Sequence, residues 1–323
     1  MKIYNTFGIP ATASQYFEIA SNHDLHQLLD NPPQQPWFIL GGGSNVVFTR
    51  HYPGSIIHPA NQGIRQLDPS ADADTVLVEA AAGENWDSFV HHTITHGWYG
   101  AENLIAIPGT VGASPVQNVG AYGVEAKDII HSVRAFHLAT GQERIFTNAE
   151  CCFGYRDSIF KNQLKDQYLI WSVTFKLSRT FAPNTQYRAL ADIQASSAQT
   201  LADAITQIRW SKLPRPEEMG SAGSFFKNPI VTPDHYQRLL LQYPDIVAFP
   251  VPEGYKLAAG WLIEKAGWKN RSLGPCGVYS KQALVLVNHG GCTGADVLAL
   301  ADAICADVRR LFGVALQKEA IIL

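Results

Sequence analysis

The run Ile107-Pro-Gly-Thr-Val-Gly-Ala-Ser-Pro-Val-Gln-Asn-Val-Gly-Ala-Tyr-Gly-Val-Glu125 fits neither an amphipathic helix nor an alternating strand. It holds Gly109, Gly112, Gly120 and Gly123, two prolines, two amides and almost no charge. Glycine admits positive φ and lets another group approach the main chain closely, so this density suits backbone N–H and C=O groups pressed against a flat or phosphate-bearing ligand. Gln117 and Asn118 carry both donors and acceptors, the kind of group that reads a heterocycle edge. A Gly/Pro connection between domains is the competing reading, and the stretch alone leaves both open.

Working outward, a second glycine cluster lies upstream. The apolar run Trp37-Phe-Ile-Leu40 stops at Gly41-Gly42-Gly43-Ser44-Asn45 and resumes with Val46-Val47-Phe48. That pattern reads as strand, anion-sized turn, strand. It lacks the Gly-Lys-Ser/Thr ending of a nucleotide-hydrolase loop and the spacing of a Rossmann fingerprint, which disfavours a kinase or Rossmann dehydrogenase. Three consecutive glycines can still offer N–H groups to a pyrophosphate, with Ser44 and Asn45 adding side-chain hydrogen bonds.

In this order and at this separation, the two segments resemble the FAD-binding half of the UDP-N-acetylenolpyruvoylglucosamine reductases (UDP-N-acetylmuramate dehydrogenases, the MurB family). The resemblance continues through Gly154-Tyr-Arg-Asp-Ser-Ile-Phe-Lys161, Lys212-Leu-Pro214, Gly223-Ser-Phe-Phe-Lys-Asn-Pro229 and Lys256-Leu-Ala-Ala-Gly-Trp-Leu-Ile263, so it spans nearly the whole chain. It implies an α+β fold: a two-part FAD-binding region of the PCMH, or vanillyl-alcohol-oxidase, type and a C-terminal α/β substrate-binding domain. The expected division is 1–60 and 61–205 for the two FAD-binding parts and 206–323 for the substrate-binding domain, with the last strand a candidate to return to the first part.

Composition agrees with a globular chain: 323 residues, 46% hydrophobic and 16% charged, enough for more than one core. A net charge of -3 argues against a nucleic-acid or anionic-membrane surface, while a local basic pocket could still hold a phosphorylated ligand. No apolar run reaches the roughly 18 residues of a spanning helix and no apolar leader is visible, so the expectation is a cytoplasmic protein; separately, no obligate protein partner is evident. Of five cysteines, Cys151 and Cys152 are adjacent while Cys276, Cys292 and Cys305 form no Cys-x-x-Cys pair; neither a disulfide frame nor a zinc site is expected. His91, His92 and His96 read as solvated or core-edge histidines, and no metal is expected.

Along the chain, helices are expected near 21–30 and over 86–94, the latter with Trp86, Phe89, Val90, Thr93 and Ile94 on one face and Gly97 as its end. Strands are expected at 76–82, 132–138 and 168–177. After residue 200 the pattern turns helical: Leu201, Ile205 and Ile208; Leu239 to Leu241; then Leu257, Trp261 and Leu262. A buried strand follows at 283–288, then a long helix capped by Thr293 with Asp296 and closed by Gly313, and a final strand over 314–323.

Three residues are candidates for chemistry. Arg156, in apolar surroundings, either pairs with Asp157 or aims its planar fork at a ligand carboxylate. Ser224, flanked by Gly223 and two phenylalanines, is either a turn serine, as Ser221 is read, or a proton donor toward a carbanion. Glu319 is either an edge charge or a perturbed site carboxylate. The resemblance assigns Arg156 to the enolpyruvyl carboxylate, Ser224 as the proton donor and Glu319 as the catalytic glutamate, although Gln317 replaces an acid of the family's ending. It also implies FAD contacts from Gly41, Gly42, Gly43, Ser44, Asn45, Gln117, Asn118, Gly120, Ala121, Tyr122 and Arg209. Tyr187, Lys212, Asn228 and Gln282 would hold the nucleotide-sugar, with Tyr187 on a polar loop that could swing as a lid. NADPH would reduce FAD, bound non-covalently because residues 40–50 hold no His or Cys that could tether it. A sugar or alcohol oxidase of the same binding fold and a flavin-binding regulatory module are the rivals.

Overall fold

The structure is a computed structural model that describes residues 3–67 and 73–323. The chain divides into two compact units, and the division departs from the expected three parts. Ala13–Gly42 and Pro53–Arg209 make the first unit; the segment ending at Thr12, Gly43–Tyr52 and Trp210–Leu323 make the second. The first sixty residues are therefore shared, for a physical reason visible in the pairing. Val46–Val47 finds its partner not in a neighbouring strand but in Ile321–Ile322, parallel, with Ile321 opposite Val46.

The first unit is built on a five-stranded antiparallel sheet in the spatial order Glu143–Thr147, Ile130–His137, Tyr168–Ser178, Thr75–Ala81, Ile64–Gln66. In Thr75–Ala81 every second residue, Val76, Val78 and Ala80, is buried, the alternation that commits one face to the core. Helix α2 (Trp86–Thr95) covers that face, while Leu25 and Leu28 of helix α1 (Asn22–Asp30) belong to a separate, smaller cluster. Its Phe89 ring lies 4.5 Å from that of Phe175, and both are fully buried. Each such burial stabilises by roughly 1.5–3 kcal/mol. Leu201, Ala202 and Ile205 of helix α3 (Ala198–Lys212) complete this core. A smaller sheet of Ala13–Ile19, Tyr52–Pro59 and Trp37–Ile39 packs with α1 around Ile57, Leu169 and Trp171.

In the second unit a four-stranded sheet runs in the order Gly220–Ser224, Val285–Asn288, Cys276–Val278, Ser272–Leu273, beside a three-stranded sheet of Ile230–Val231, Gly254–Leu257 and Ala248–Val251. Helices α4 (Pro233–Gln242), α5 (Ala259–Lys265) and α6 (Gly294–Phe312) pack with them. Helix α6 has the caps its sequence announces. Thr293 N donates to Asp296 Oδ2 at 2.9 Å, Asp296 N donates back to Thr293 Oγ1, and Gly313 closes the helix at φ +66°. Its buried stripe is Val297, Leu300, Ala301, Ile304, Val308 and Phe312.

Three expectations need correction here. Leu257 ends a strand and does not belong to α5. The final strand is only Ile321–Ile322, because the chain before it pairs through an isolated bridge at Lys318. Cys276 and Cys292 do form a disulfide, with Cα atoms 5.9 Å apart, where spacing suggested none. Strand pairing brings them together across 16 residues: Cys276 sits opposite Asn288, four residues before Cys292. His92 and His96 stack on each other at 4.0 Å, next to Trp98, and no group of three metal-ligating side chains occurs among the described residues. No helix of the described residues is long and apolar enough to cross a membrane.

Candidate active site

In the first unit the two glycine clusters lie against each other. A Cβ on Gly42 would stand 3.0 Å from Gly109 Cα, one on Gly41 2.8 Å from Thr110 Oγ1, and one on Gly112 2.6 Å from Ala82 Cβ. Ordinary carbon contacts are about 3.5–4.0 Å, so these positions require the absence of a side chain. Main-chain bonds anchor the stretch: Trp86 N to Gly109 O at 3.1 Å, and Gly112 N to Ala82 O at 2.8 Å. Left-handed non-glycine residues cluster along it, Ala106 just before the stretch and Asn118 and Tyr122 within it, with Cys152 and Arg156 on a later segment. Such conformations concentrate where function over-determines the backbone.

The Asn118 amide is engaged within the protein. The side chain is fully buried; Nδ2 donates to Gly154 O at 2.9 Å and to Glu125 Oε2 at 3.1 Å, and Oδ1 accepts from Lys127 N at 2.9 Å. Arg156, whose sequence left a pairing with Asp157 open, donates from Nη2 to Gly120 O at 2.6 Å, while the Asp157 carboxylate accepts from Asn162. The guanidinium thus lies along the glycine stretch. Tyr122 faces Tyr187 edge-on at 5.6 Å, which links the polar Tyr187 loop to the glycine stretch. Asn103, buried, ties that loop down by donating to both Tyr122 O and Asn184 O. Tyr187 itself is half exposed.

Arg209 is a partly buried arginine with one donor unmet. Its Nε is buried without a hydrogen-bond partner, and burial pushes its pKa down, reinforced by nearby Arg156 and opposed by Tyr122 and the Asp87 carboxylate. A partly buried cation with a buried, unmet donor suits an anion. Together with a glycine cradle that leaves room only for main chain and ligand, it fits a phosphate-bearing flavin nucleotide. Glu102 is also buried, one oxygen held by Gly100 N and the other without a partner, and burial raises its pKa.

Sequence reading missed Asp87, Glu102 and Asn103. Asp87 Oδ1 accepts from Ala106 N at 2.6 Å and so holds the left-handed start of the stretch. In sequence it looked like an ordinary first-turn helix acid. Glu102-Asn103-Leu104 precedes the decisive stretch by only a few residues, and that adjacency was the available signal.

The second unit assembles a different set. Gly43, at φ +65°, passes so close to Tyr4 O that a Cβ would stand 2.7 Å from it. Asn45 O then accepts from Ile321 N, and Asn45 Nδ2 donates to Glu319 O at 3.4 Å. Glu319 N donates to Phe225 O at 2.8 Å and Lys227 N to Gln317 O at 2.9 Å, so 225–227 and 317–319 run side by side. Ser224 and Glu319 become neighbours, and Gln317 contributes main chain at this pairing. Gly223, at φ +67°, turns the backbone between a buried Ser221, whose N–H and C=O both bond to Thr6, and an exposed Ser224. The structure therefore separates the two serines that the sequence could only rank. Asn228 Oδ1 accepts from Ala259 N at the start of α5, and a Cβ on Gly260 would stand 2.9 Å from Gln282 Oε1, so both amides converge on one helix end. Lys212 is an exposed residue at the end of α3.

The FAD binding domain profile matches residues 15–146, and the profile of the UDP-N-acetylenolpyruvoylglucosamine reductase C-terminal domain matches residues 215–323. A UDP-N-acetylenolpyruvoylglucosamine reductase of Bdellovibrio bacteriovorus is 46% identical over 98% of this chain and 96% of its own length. One of Pseudomonas putida is 47% identical over 99% of this chain and 96% of its own. The crystal structure of the enzyme of that name from Thermus caldophilus shares the fold, with a TM-score of 0.69 at 23% identity over 99% of this chain and 95% of that one. On full-length similarity of this degree, the chain belongs to the UDP-N-acetylenolpyruvoylglucosamine reductase family.

Proposed function

We propose that this chain reduces the enolpyruvyl ether of UDP-N-acetylglucosamine to UDP-N-acetylmuramate, a cytoplasmic step of peptidoglycan precursor synthesis, using non-covalent FAD and NADPH. The observation that carries this reading is the pairing of 225–227 with 317–319, which sets an exposed Ser224 beside Glu319 in a chain that also holds an arginine along the glycine stretch. FAD would be held by the Gly41–Gly42 and Gly109–Gly112 main chains, by Gly43, Ser44 and Asn45, by the Gln117–Tyr122 backbone and by Arg209. When bound, it supplies the hydride chemistry of the reaction.

The chain's own groups handle charge and the proton. As hydride reaches the terminal carbon of the enolpyruvyl group, charge builds on the adjacent carbon and its carboxylate. Arg156 would neutralise that carboxylate through its planar fork, and Glu319 would help stabilise the enolate-like state. The Ser224 hydroxyl would deliver a proton to the adjacent carbon, a task suited to a weak acid facing a much stronger base. Lys212, Asn228 and Gln282 would bind the nucleotide-sugar, and Tyr187 would close over it.

Anaerobic rapid mixing of Ser224→Ala tests this. NADPH should bleach the flavin of the variant at near-parental rate, while reoxidation by the enolpyruvyl nucleotide should slow by at least ~10²-fold, as for a lost general acid. Unchanged reoxidation would remove Ser224 from the mechanism, and equal slowing of both half-reactions would make its role structural.

A further inference from the structure

We infer that Asn118 is a positioning residue for Arg156, acting on substrate reduction through the arginine and not on FAD through its own amide. The inference rests on the reading of Arg156 given above. Every polar atom of the Asn118 side chain is spent inside the protein, and its longest reach is to Gly154 O, two residues before the arginine. In return the guanidinium bonds to the main chain on either side of Val119: Nη1 to Asn118 O at 3.5 Å and Nη2 to Gly120 O at 2.6 Å. Two further stitches close the seam. Ser158 Oγ donates to Val116 O at 2.6 Å, and Lys161 Nζ donates to Arg156 O at 3.1 Å.

The seam matters because both of its principal residues are left-handed, Asn118 at φ +46° and Arg156 at φ +54°. An arginine has no intrinsic preference for that conformation, so it persists only where surrounding bonds over-determine it. A guanidinium recognises a carboxylate bidentately only if its plane is held, and a misplacement of about 1 Å can cost ~10²-fold in rate. Asparagine suits position 118 because it tolerates the left-handed region and offers two donors with one acceptor. The substitution Asn118→Asp would keep the shape and the bond from Lys127 N, but would turn an oxygen toward Gly154 O and Glu125.

The test uses the FAD-loaded enzyme with Asn118→Asp and Asn118→Gly, the second keeping backbone freedom without adding charge. In both, reoxidation by the enolpyruvyl nucleotide should slow by about 10- to 100-fold, at least tenfold more than reduction by NADPH. The dissociation constant of that nucleotide for the oxidised enzyme, read by flavin absorbance titration, should rise as well. In an Arg156→Ala background, Asn118→Gly should add less than twofold, since the residue acts through the arginine. Parental reoxidation in both variants, equal slowing of the half-reactions, or additive effects with Arg156→Ala would each overturn the inference. Arg156→Ala alone tests the reading beneath it: if that variant reoxidises at the parental rate, reading and inference fall together. If it slows while the Asn118 variants do not, only the inference falls.

Discussion

Gly42→Ala is the sharpest perturbation of the cradle. Gly42 has no positive φ to lose, so a methyl group acts only through space, and the space is taken. The new carbon would stand 3.0 Å from Gly109 Cα and 3.3 Å from Gly109 C. Both are main-chain atoms, and Gly109 O is tied to Trp86 N at the start of α2, so neither can turn aside as a side chain would. Restoring ordinary contact needs the two segments to part by about 0.5–1 Å. Overpacking of this kind typically costs about 1–3 kcal/mol. If the variant's apo-protein relieves the clash by an outward shift of the loop that FAD binding must reverse, the cost should appear as a roughly 5- to 150-fold higher Kd for FAD. Titrating apo-protein with FAD and following flavin fluorescence measures it. A Kd within twofold of the parent, with unchanged apo-protein stability, would refute the close apposition of the two glycine clusters.

Asp87→Ala should leave the buried Ala106 N–H without its acceptor and cost about 1–3 kcal/mol; a thermal melt of the apo-protein checks it, and an unchanged Tm would mean that the N–H finds another partner. Hydrogen bonds from Thr147 and Arg144 pull the Glu150 carboxyl down to about 2 from its ordinary 4.5. A depressed acid stabilises above its unfolded pKa and loses that contribution as pH falls toward the folded one. Glu150→Gln should therefore melt below the parent at pH 7 and converge with it between about pH 4.5 and 2. Burial pushes the Cys151 thiol up to about 12 while Cys152 is exposed, so iodoacetamide at pH 8 should label Cys152 and spare Cys151, as peptide mass mapping would reveal.

Local periodicity carried much of the fold into view. The alternation of Val76, Val78 and Ala80, the α2 face of Trp86, Phe89 and Val90, and the Thr293–Asp296 cap with Gly313 are short-range patterns whose physics is complete within a few residues. Glycine density likewise marked both halves of the cradle, because only a residue without Cβ tolerates such approach. What tertiary structure decided was partnership. Nothing near Val46 indicates that its strand partner lies at Ile321, and nothing near Cys276 points to Cys292. Ser221 and Ser224 differ in sequence only by context; the turn at Gly223 and the bonds to Thr6 bury one and expose the other. Asn118 has the amide of a ligand reader in sequence, and in the fold Gly154, Glu125 and Lys127 occupy that amide. A side chain's chemistry is written in the sequence, but which donor meets which acceptor depends on contacts between residues far apart in the chain, and those exist only once the sheets and loops have closed.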